Sequence, residues 1–441
     1  MMSALDPQLL EAVSNGIEAQ LGLHYPPERW VDLERGLRGA AAELGFECVE
    51  TCARELTLAK LDRAQVEALA AHLTTGETYF FRDPAVFEAL ASQVLPALMQ
   101  EKRGGAKRLR IWSAGCCTGE EAYSIAIALR RTIPDLDDWQ ITILATDINP
   151  RFLRLAVAGI YGKWSFRGVP EETRAAYFRP TPEGRFELLP SVREMVTFAC
   201  LNLVEDVYPS LATNTNAMDL IFCRNVLMYF SGEQRRKAVA NLRRSLVEGG
   251  RLAVSATEAS QEVFGAFVPA GISGITLYCK EAPPPPIVVP ARLPEPMPLP
   301  ALTPPPPALA PPDHAADARR LANEGNLAEA LAACDRALAA DKLVAAHHYL
   351  RGIILQEQSA PEEAVAALKR ALYLDPDFAL AHFALGHLHV RNGRTGEAAR
   401  CFVNARSLLR ACPPDSMPPE SDGLTAGRLL EILDSMQEVL A

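Results

Sequence analysis

Fifteen of the chain's 34 prolines stand between Pro283 and Pro312. Proline lacks a backbone N–H and fixes φ at about −65°, so the run APPPPIVVPARLPEPMPLPALTPPPPALAPP can join neither a sheet ladder nor a helix interior. Residues 281–312 therefore read as a polyproline II spacer rather than as a ligand for a proline-reading domain. The spacer cuts a chain of 441 residues, long enough for two or three domains of roughly 100–200 residues each, into two parts. Each part should have its own core, and residues 1–280 are expected to fold and act without the C-terminal part.

Beyond the spacer, residues 313–411 repeat with a step of 34. Ala330, Ala364 and Ala398 keep that step, as do Ala337, Ala371 and Ala405, the pair Gly352 and Gly386, and Asp341 with Asp375. Each unit reads as two amphipathic helices whose small residues mark close helix approach. Period, small positions and the closing Asp375-Pro376 resemble the tetratricopeptide repeat. Three repeats fit, followed by a tail, 412–441, with a capping helix over Leu424 to Leu440. Such an array implies a concave groove for a peptide or helix whose identity the sequence leaves unknown.

Before the spacer, residues 1–75 read as a helical domain, with Val31, Leu33, Leu37, Ala40, Ala41 and Leu44 near helical spacing. From about residue 76 to 280 short apolar strands alternate with helices: LRIWSA (109–114), ITILATD (141–147), LIFCRN (220–225) and RLAVSA (251–256). That alternation predicts an α/β fold with a doubly wound, mostly parallel sheet covered on both faces. The segment RFELLPSVREMVTF predicts a small β-hairpin insertion, a subdomain at about 180–198.

Charge excludes one broad class. Residues 1–75 carry 6 basic and 12 acidic residues, 76–280 carry 24 and 22, 313–411 carry 12 of each, and 412–441 one and six. No segment is the basic domain that nucleic acid requires. No apolar run reaches the roughly 20 residues of a membrane span, and no secretory signal is expected at MMSALDPQLLEAV. Ten scattered cysteines, with no CxxC and no Cys/His zinc spacing, fit reduced thiols in a cytoplasmic protein without a metal centre.

Four segments carry chemistry. In IWSAGCCTGEEAYSIA (111–126) a buried strand ends in a tight turn and a helix opens on Glu120 and Glu121. This acidic pair repels phosphate; it suits a cationic ligand, or simply opposes the helix dipole. Cys116 and Cys117 read as small turn residues. Asp147 ends the next strand, where a carboxylate either accepts ribose hydroxyls or caps the following helix. The others are TGETYFFRDP (75–84) and LIFCRNVLMYF (220–230), the latter with Arg224 directly after a buried strand, where a cation needs an anion.

ETYFFRD, WSAGCCTGEEAYSIA, LATDIN, LNL (201–203) and IFCRNVLMYF stand in the order seen in CheR-type protein-glutamate O-methyltransferases. The chain resembles that family over about residues 1–280, and the spacer with repeats resembles its WspC-like branch. The resemblance implies S-adenosylmethionine as cofactor, S-adenosylhomocysteine as product, and glutamate side chains of methyl-accepting chemoreceptor-type proteins as substrate. It implies a cytoplasmic enzyme open to association with membrane receptor arrays. It implies cofactor contacts from Thr78, Arg82, Glu121, Asp147, Asn202, Leu203, Arg224 and Asn225, with Arg82 at the carboxylate, Asp147 at the ribose and Asn202 and Leu203 at the adenine. Arg224 and Tyr229 would face the incoming glutamate. Two positions depart from the family pattern: Gly76 replaces a cofactor-contacting asparagine, and Ala256-Thr257-Glu258 replaces His-Ser-Glu. The rival readings are another S-adenosylmethionine enzyme on the same fold, or a catalytically weak scaffold acting through its repeats.

Overall fold

The computed structural model describes residues 5–102, 107–281, 313–358 and 360–440; apart from residue 281, the 281–312 spacer lies outside the described residues. Helices α1 (Pro7–Leu21), α2 (Trp30–Glu43), α3 (Val49–Leu56) and α4 (Arg63–Leu73) form the N-terminal part. Their boundaries follow local chemistry. Asp6 accepts the Gln8 N–H at 2.8 Å ahead of Pro7, and Asp62 with Gln65 makes a reciprocal cap on α4. Val13, Ile17, Leu33, Leu37 and Leu69 meet in one core.

After α5 (Pro84–Ala89) and α6 (Leu95–Lys102) the chain alternates as the apolar pattern requires. It runs through β1 (Arg108–Ala114), α7 (Glu120–Thr132), β2 (Gln140–Asp147) and α8 (Pro150–Ala158). An inserted stretch follows: β3 (Ile160–Tyr161), α9 (Glu171–Tyr177), β4 (Phe178–Pro180), β5 (Phe186–Leu188) and α10 (Pro190–Arg193). Then come β6 (Val196–Cys200), β7 (Met218–Phe222), α11 (Gly232–Ser245), β8 (Leu246–Val254), α12 (Gln261–Phe264), β9 (Val268–Pro269) and β10 (Thr276–Cys279).

The main sheet has the order β6-β2-β1-β7-β8-β10-β9. Strands β6 through β8 are parallel, with Trp112 opposite Leu144 on one side and Ile221 on the other, while β10 is antiparallel. Every residue of β1 is buried, as a strand covered on both faces demands. The chain winds from β1 through β2 to β6, then crosses back to β7 and β8. The order therefore reverses beside β1, and the crevice at the carboxyl ends of β1 and β7 is where such sheets bind ligands.

The inserted subdomain overlaps the expected 180–198 only in its first part. It is a three-stranded antiparallel sheet, β3-β5-β4, drawn from residues 160–188. Pro190 opens a helical turn that ends pairing, and Val196 and Phe198 are buried in β6, the edge strand parallel to β2. The expected hairpin thus sits one strand earlier than 180–198.

Six helices build the repeats: α13 (His314–Asn323), α14 (Leu327–Ala340), α15 (Ala345–Glu357), α16 (Pro361–Leu374), α17 (Ala379–Arg391) and α18 (Thr395–Ala411). The alanines in 34-residue phase are buried between paired helices, and α19 (Ala426–Leu440) closes the array. No helix among the described residues is long and apolar enough to cross a membrane. The repeats keep core clusters of their own but also touch the part before the spacer. Helix α19 lies on β6 and α8, and Asp434 bonds Arg406 at 2.8 Å and approaches Arg63 of α4 at 3.5 Å. Val207, Leu211 and Ala212 pack into the repeat core with Leu424, beside Tyr349 and Phe378.

Candidate active site

The crevice beside β1 is a cleft of about 960 Å³, part of it open to solvent. Its floor is the turn after β1. Gly115 holds φ at +82°, and a Cβ there would lie 2.3 Å from Val226 Cγ2, so no larger residue fits. The Gly115 and Cys116 N–H groups donate to the Thr146 carbonyl at 2.7 and 2.9 Å, tying the turn to the end of β2. Cys117 N–H donates to Asp147 Oδ2 at 2.8 Å, and Asn149 N–H to Oδ1 at 2.9 Å. Burial pushes the Asp147 carboxyl up to about 6, against the backbone N–H groups of Asn149 and Cys117 that hold it down.

At the other wall Arg224 is the hub. Its side chain is only 2% exposed, and it meets Glu121 Oε2 at 3.2 Å, the Arg82 carbonyl at 3.2 Å and the carboxylate of Asp83. Its Nε is buried without a hydrogen-bond partner among the described residues. Glu121 also accepts from Ser113 Oγ at 2.8 Å; burial raises its carboxyl, and Arg224 and Ser113 draw it back down. Two carboxylates thus flank one buried guanidinium, Glu121 from the buried side and the half-exposed Asp83 from the solvent side. Arg82 is half-buried and donates to the Glu77 carbonyl at 2.7 Å. Asn202 Nδ2 donates to the Gln20 carbonyl at 2.7 Å, which joins the loop after β6 to the N-terminal helices.

A family profile described as CheR methyltransferase, SAM binding domain, matches residues 76–271, and one described as TPR repeat matches 361–393. The chain is similar to the probable biofilm formation methyltransferase WspC of Pseudomonas aeruginosa, 33% identical over 73% of this chain and 81% of that protein. The chain belongs to the CheR methyltransferase family. Chemotaxis protein methyltransferase 1 of the same organism is 40% identical over 42% of this chain and 67% of that protein. Chemotaxis protein methyltransferase 2 of Vibrio cholerae is 34% identical over 46% and 69%.

In this CheR methyltransferase Thr78, Arg82, Glu121, Asp147, Asn202, Leu203, Arg224, Asn225 and Tyr229 all line the one cleft. Glu120, half of the acidic pair, does not. Its carboxylate takes hydrogen bonds from Thr118 at 2.6 Å and Ser165 at 3.0 Å, beneath the inserted subdomain. Burial, with Asp147 nearby, raises both neighbouring thiols, Cys116 and Cys117, above the usual thiol range, which disfavours the thiolate. At Gly76 an asparagine would not fit unaided, because a Cβ would lie 2.8 Å from Phe152 Cζ, and Phe152 itself lines the cleft.

Three contributions are not evident from the sequence motifs. Asp83, left-handed at φ 60°, reaches Arg224. Leu21, Leu23, Leu73 and Thr74 bring the N-terminal helices over the cleft as an apolar wall. Glu258 is 2% exposed and accepts the N–H groups of Asn225 and Val226 at 2.8 Å each and of Met228 at 3.2 Å. That carboxylate holds the whole Arg224–Tyr229 loop. The retained glutamate in Ala256-Thr257-Glu258 is the available signal, overshadowed there by the missing histidine.

Proposed function

We propose that this cleft binds S-adenosylmethionine and transfers its methyl group to glutamate side chains of a methyl-accepting chemoreceptor-type protein, forming methyl esters. The observation that carries the reading is the convergence of nine motif residues, from segments up to 151 positions apart, on one cleft that pairs a buried carboxylate at a strand end with a fixed arginine. The residues fit the cofactor. Asp147 offers an acceptor where ribose hydroxyls would arrive, the turn at Gly115 allows close backbone approach, Leu21, Leu23 and Leu203 offer an apolar wall to a purine, and Arg82 offers a cation to a carboxylate. When bound, the cofactor supplies a methyl group activated on a sulfonium.

The protein's task is placement. A glutamate side chain, with a reference pKa of about 4.3, is already ionised near neutral pH, so no general base is needed. Holding nucleophile and methyl group in line can supply roughly 7–11 kcal/mol. Arg224 does this without quenching the nucleophile. Its charge is already matched by Glu121 and Asp83, so it contributes an oriented donor rather than a free counter-ion, and binding is spent on geometry. Tyr229, from the same Glu258-held loop, stands at the cleft to orient the carboxylate beside it.

The Asp147 titration gives a pH prediction. With its pKa raised to about 6, the folded protein takes up a proton there before the unfolded chain would, so this group's contribution to stability is full at acid pH and lost as pH rises through about 6. Ribose hydroxyls donate to the ionised form, so affinity for S-adenosylhomocysteine should weaken as pH falls below about 6, by up to tenfold per pH unit. Calorimetric titration between pH 5 and 8 reads this, and Asp147→Asn should flatten the profile. The reading as a whole is tested by incubating the full chain with labelled S-adenosylmethionine and methyl-accepting receptors of the organism that makes it. Transfer to receptor is expected; tight cofactor binding with no transfer would favour the catalytically weak scaffold.

A further inference from the structure

Between β6 and β7 runs a loop, residues 201–217, whose first residues Leu201, Asn202 and Leu203 line the cleft. The C-terminal part grips this loop at both ends. At its start, Arg428 of α19 meets Glu205 Oε2 at 2.9 Å, and Glu205 Oε1 lies 3.4 Å from Asn202 Nδ2. At its end, Glu357 of α15 accepts from Arg108 at 2.5 Å and Arg110 at 2.7 Å, and Arg110 donates onward to the carbonyls of Asn214 and Asn216 at 3.0 and 3.2 Å. In the middle, Ser210 Oγ donates to Asp422 at 3.0 Å, while Arg319 of α13 holds Glu420 and approaches Asp422 at 3.7 Å. Val207, Leu211 and Ala212 are packed into the repeat core.

We propose that the repeats and α19 are a second layer of the cofactor site, with Arg428 a positioning residue that acts through Glu205 on Asn202 and the loop beginning at Leu201. This rests on reading Asn202 and Leu203 as the adenine side of the cleft. Its physical basis is a short chain of contacts laid over the local ones, in which the Val204 N–H meets Asn202 Oδ1 at 3.2 Å and the Tyr208 hydroxyl donates to the Leu203 carbonyl at 2.7 Å. The Asn202 Nδ2 is shared between the Gln20 carbonyl at 2.7 Å and Glu205 at 3.4 Å, and of these two acceptors Glu205 is the one held by Arg428. Burial works against the Arg428 charge, and Glu205 and Glu431 support it, so losing the arginine leaves Glu205 without that counter-ion. Any event that loosens the C-terminal part, such as a partner competing for the Arg319 site, is then read out as weaker cofactor binding.

The test is calorimetric titration of the full chain with S-adenosylhomocysteine, for the wild type, Arg428→Met, Arg428→Lys and Glu205→Gln. Glu205 is over a third exposed on its side chain, so its variant keeps the test open should Arg428→Met fold poorly. Arg428→Met and Glu205→Gln should each raise Kd by about fivefold or more, and Arg428→Lys should recover part of the loss. In methyl transfer the KM for cofactor should rise while kcat at saturating cofactor and the KM for receptor stay unchanged, a split that general destabilisation does not produce. Folded variants with wild-type Kd would overturn the inference while leaving the cofactor reading intact. Failure of the wild type to bind would overturn the cofactor reading itself, and the inference with it.

Discussion

Arg224→Ala should slow methyl transfer by about 30- to several-thousandfold, while raising the Kd for S-adenosylhomocysteine less than Arg82→Ala does. Removing one partner of a buried, hydrogen-bonded charge pair costs about 2–5 kcal/mol, and each 1.4 kcal/mol or so is tenfold in rate. Arg224 is nearly inaccessible and anchors Glu121, whose carboxyl is already raised by burial. Without the guanidinium that carboxyl rises further, and the donor proposed to orient the incoming glutamate is gone. Arg82 is half-buried and donates to a backbone carbonyl, so its loss should appear mainly in cofactor binding. Dissociation constants and single-turnover rates for both variants decide the matter. Equal losses of cofactor affinity would show that the two arginines do not divide the work this way.

Glu258→Ala should lower the melting temperature by about 6–12 °C and abolish activity. The carboxylate satisfies the backbone N–H groups of Asn225, Val226 and Met228, and also bonds Ser255 Oγ at 2.5 Å. An orphaned buried donor costs about 1–3 kcal/mol, and these three are only partly buried, so the low end applies and together they cost roughly 3 kcal/mol. For a domain of this size each kcal/mol moves the transition by about 2–4 °C. Asn225 also sits at φ 60°, a conformation held by this anchor. Glu258→Gln keeps one acceptor and should fall between the two. Differential scanning calorimetry gives the shift, and an alanine variant with unchanged melting temperature and activity would show that Glu258 does not hold the loop.

What the sequence made legible was what local pattern controls. Apolar runs such as IWSA and ILATD are buried on both sides of a parallel strand, so alternation alone revealed the winding, and the residues ending those strands fell into one cleft. The 34-residue phase was equally plain, because small residues recur wherever helices touch. What stayed hidden depends on partners distant in the chain. Asn202 bonds Gln20 across 182 positions and Glu357 bonds Arg108 across 249. No periodicity announces such pairs. In the sequence Glu357 is one more charge on a repeat helix, and Arg428 is the lone cation of an acidic tail. The inserted sheet was misplaced for a related reason: Phe186–Leu188 can pair forward or backward in sequence, and only the pairing of Val196 and Phe198 with β2, in the main sheet, settles the direction.

The most direct measurement is the chemistry of the transferred methyl group. After incubation of the full chain with labelled S-adenosylmethionine and receptor, the labelled receptor is split and treated with mild base. A methyl ester on a glutamate carboxylate releases its label as volatile methanol, so near-complete release is expected from wild-type reactions and almost no label with Arg224→Ala. Label that survives base, as a methyl group on nitrogen does, would contradict glutamate esterification.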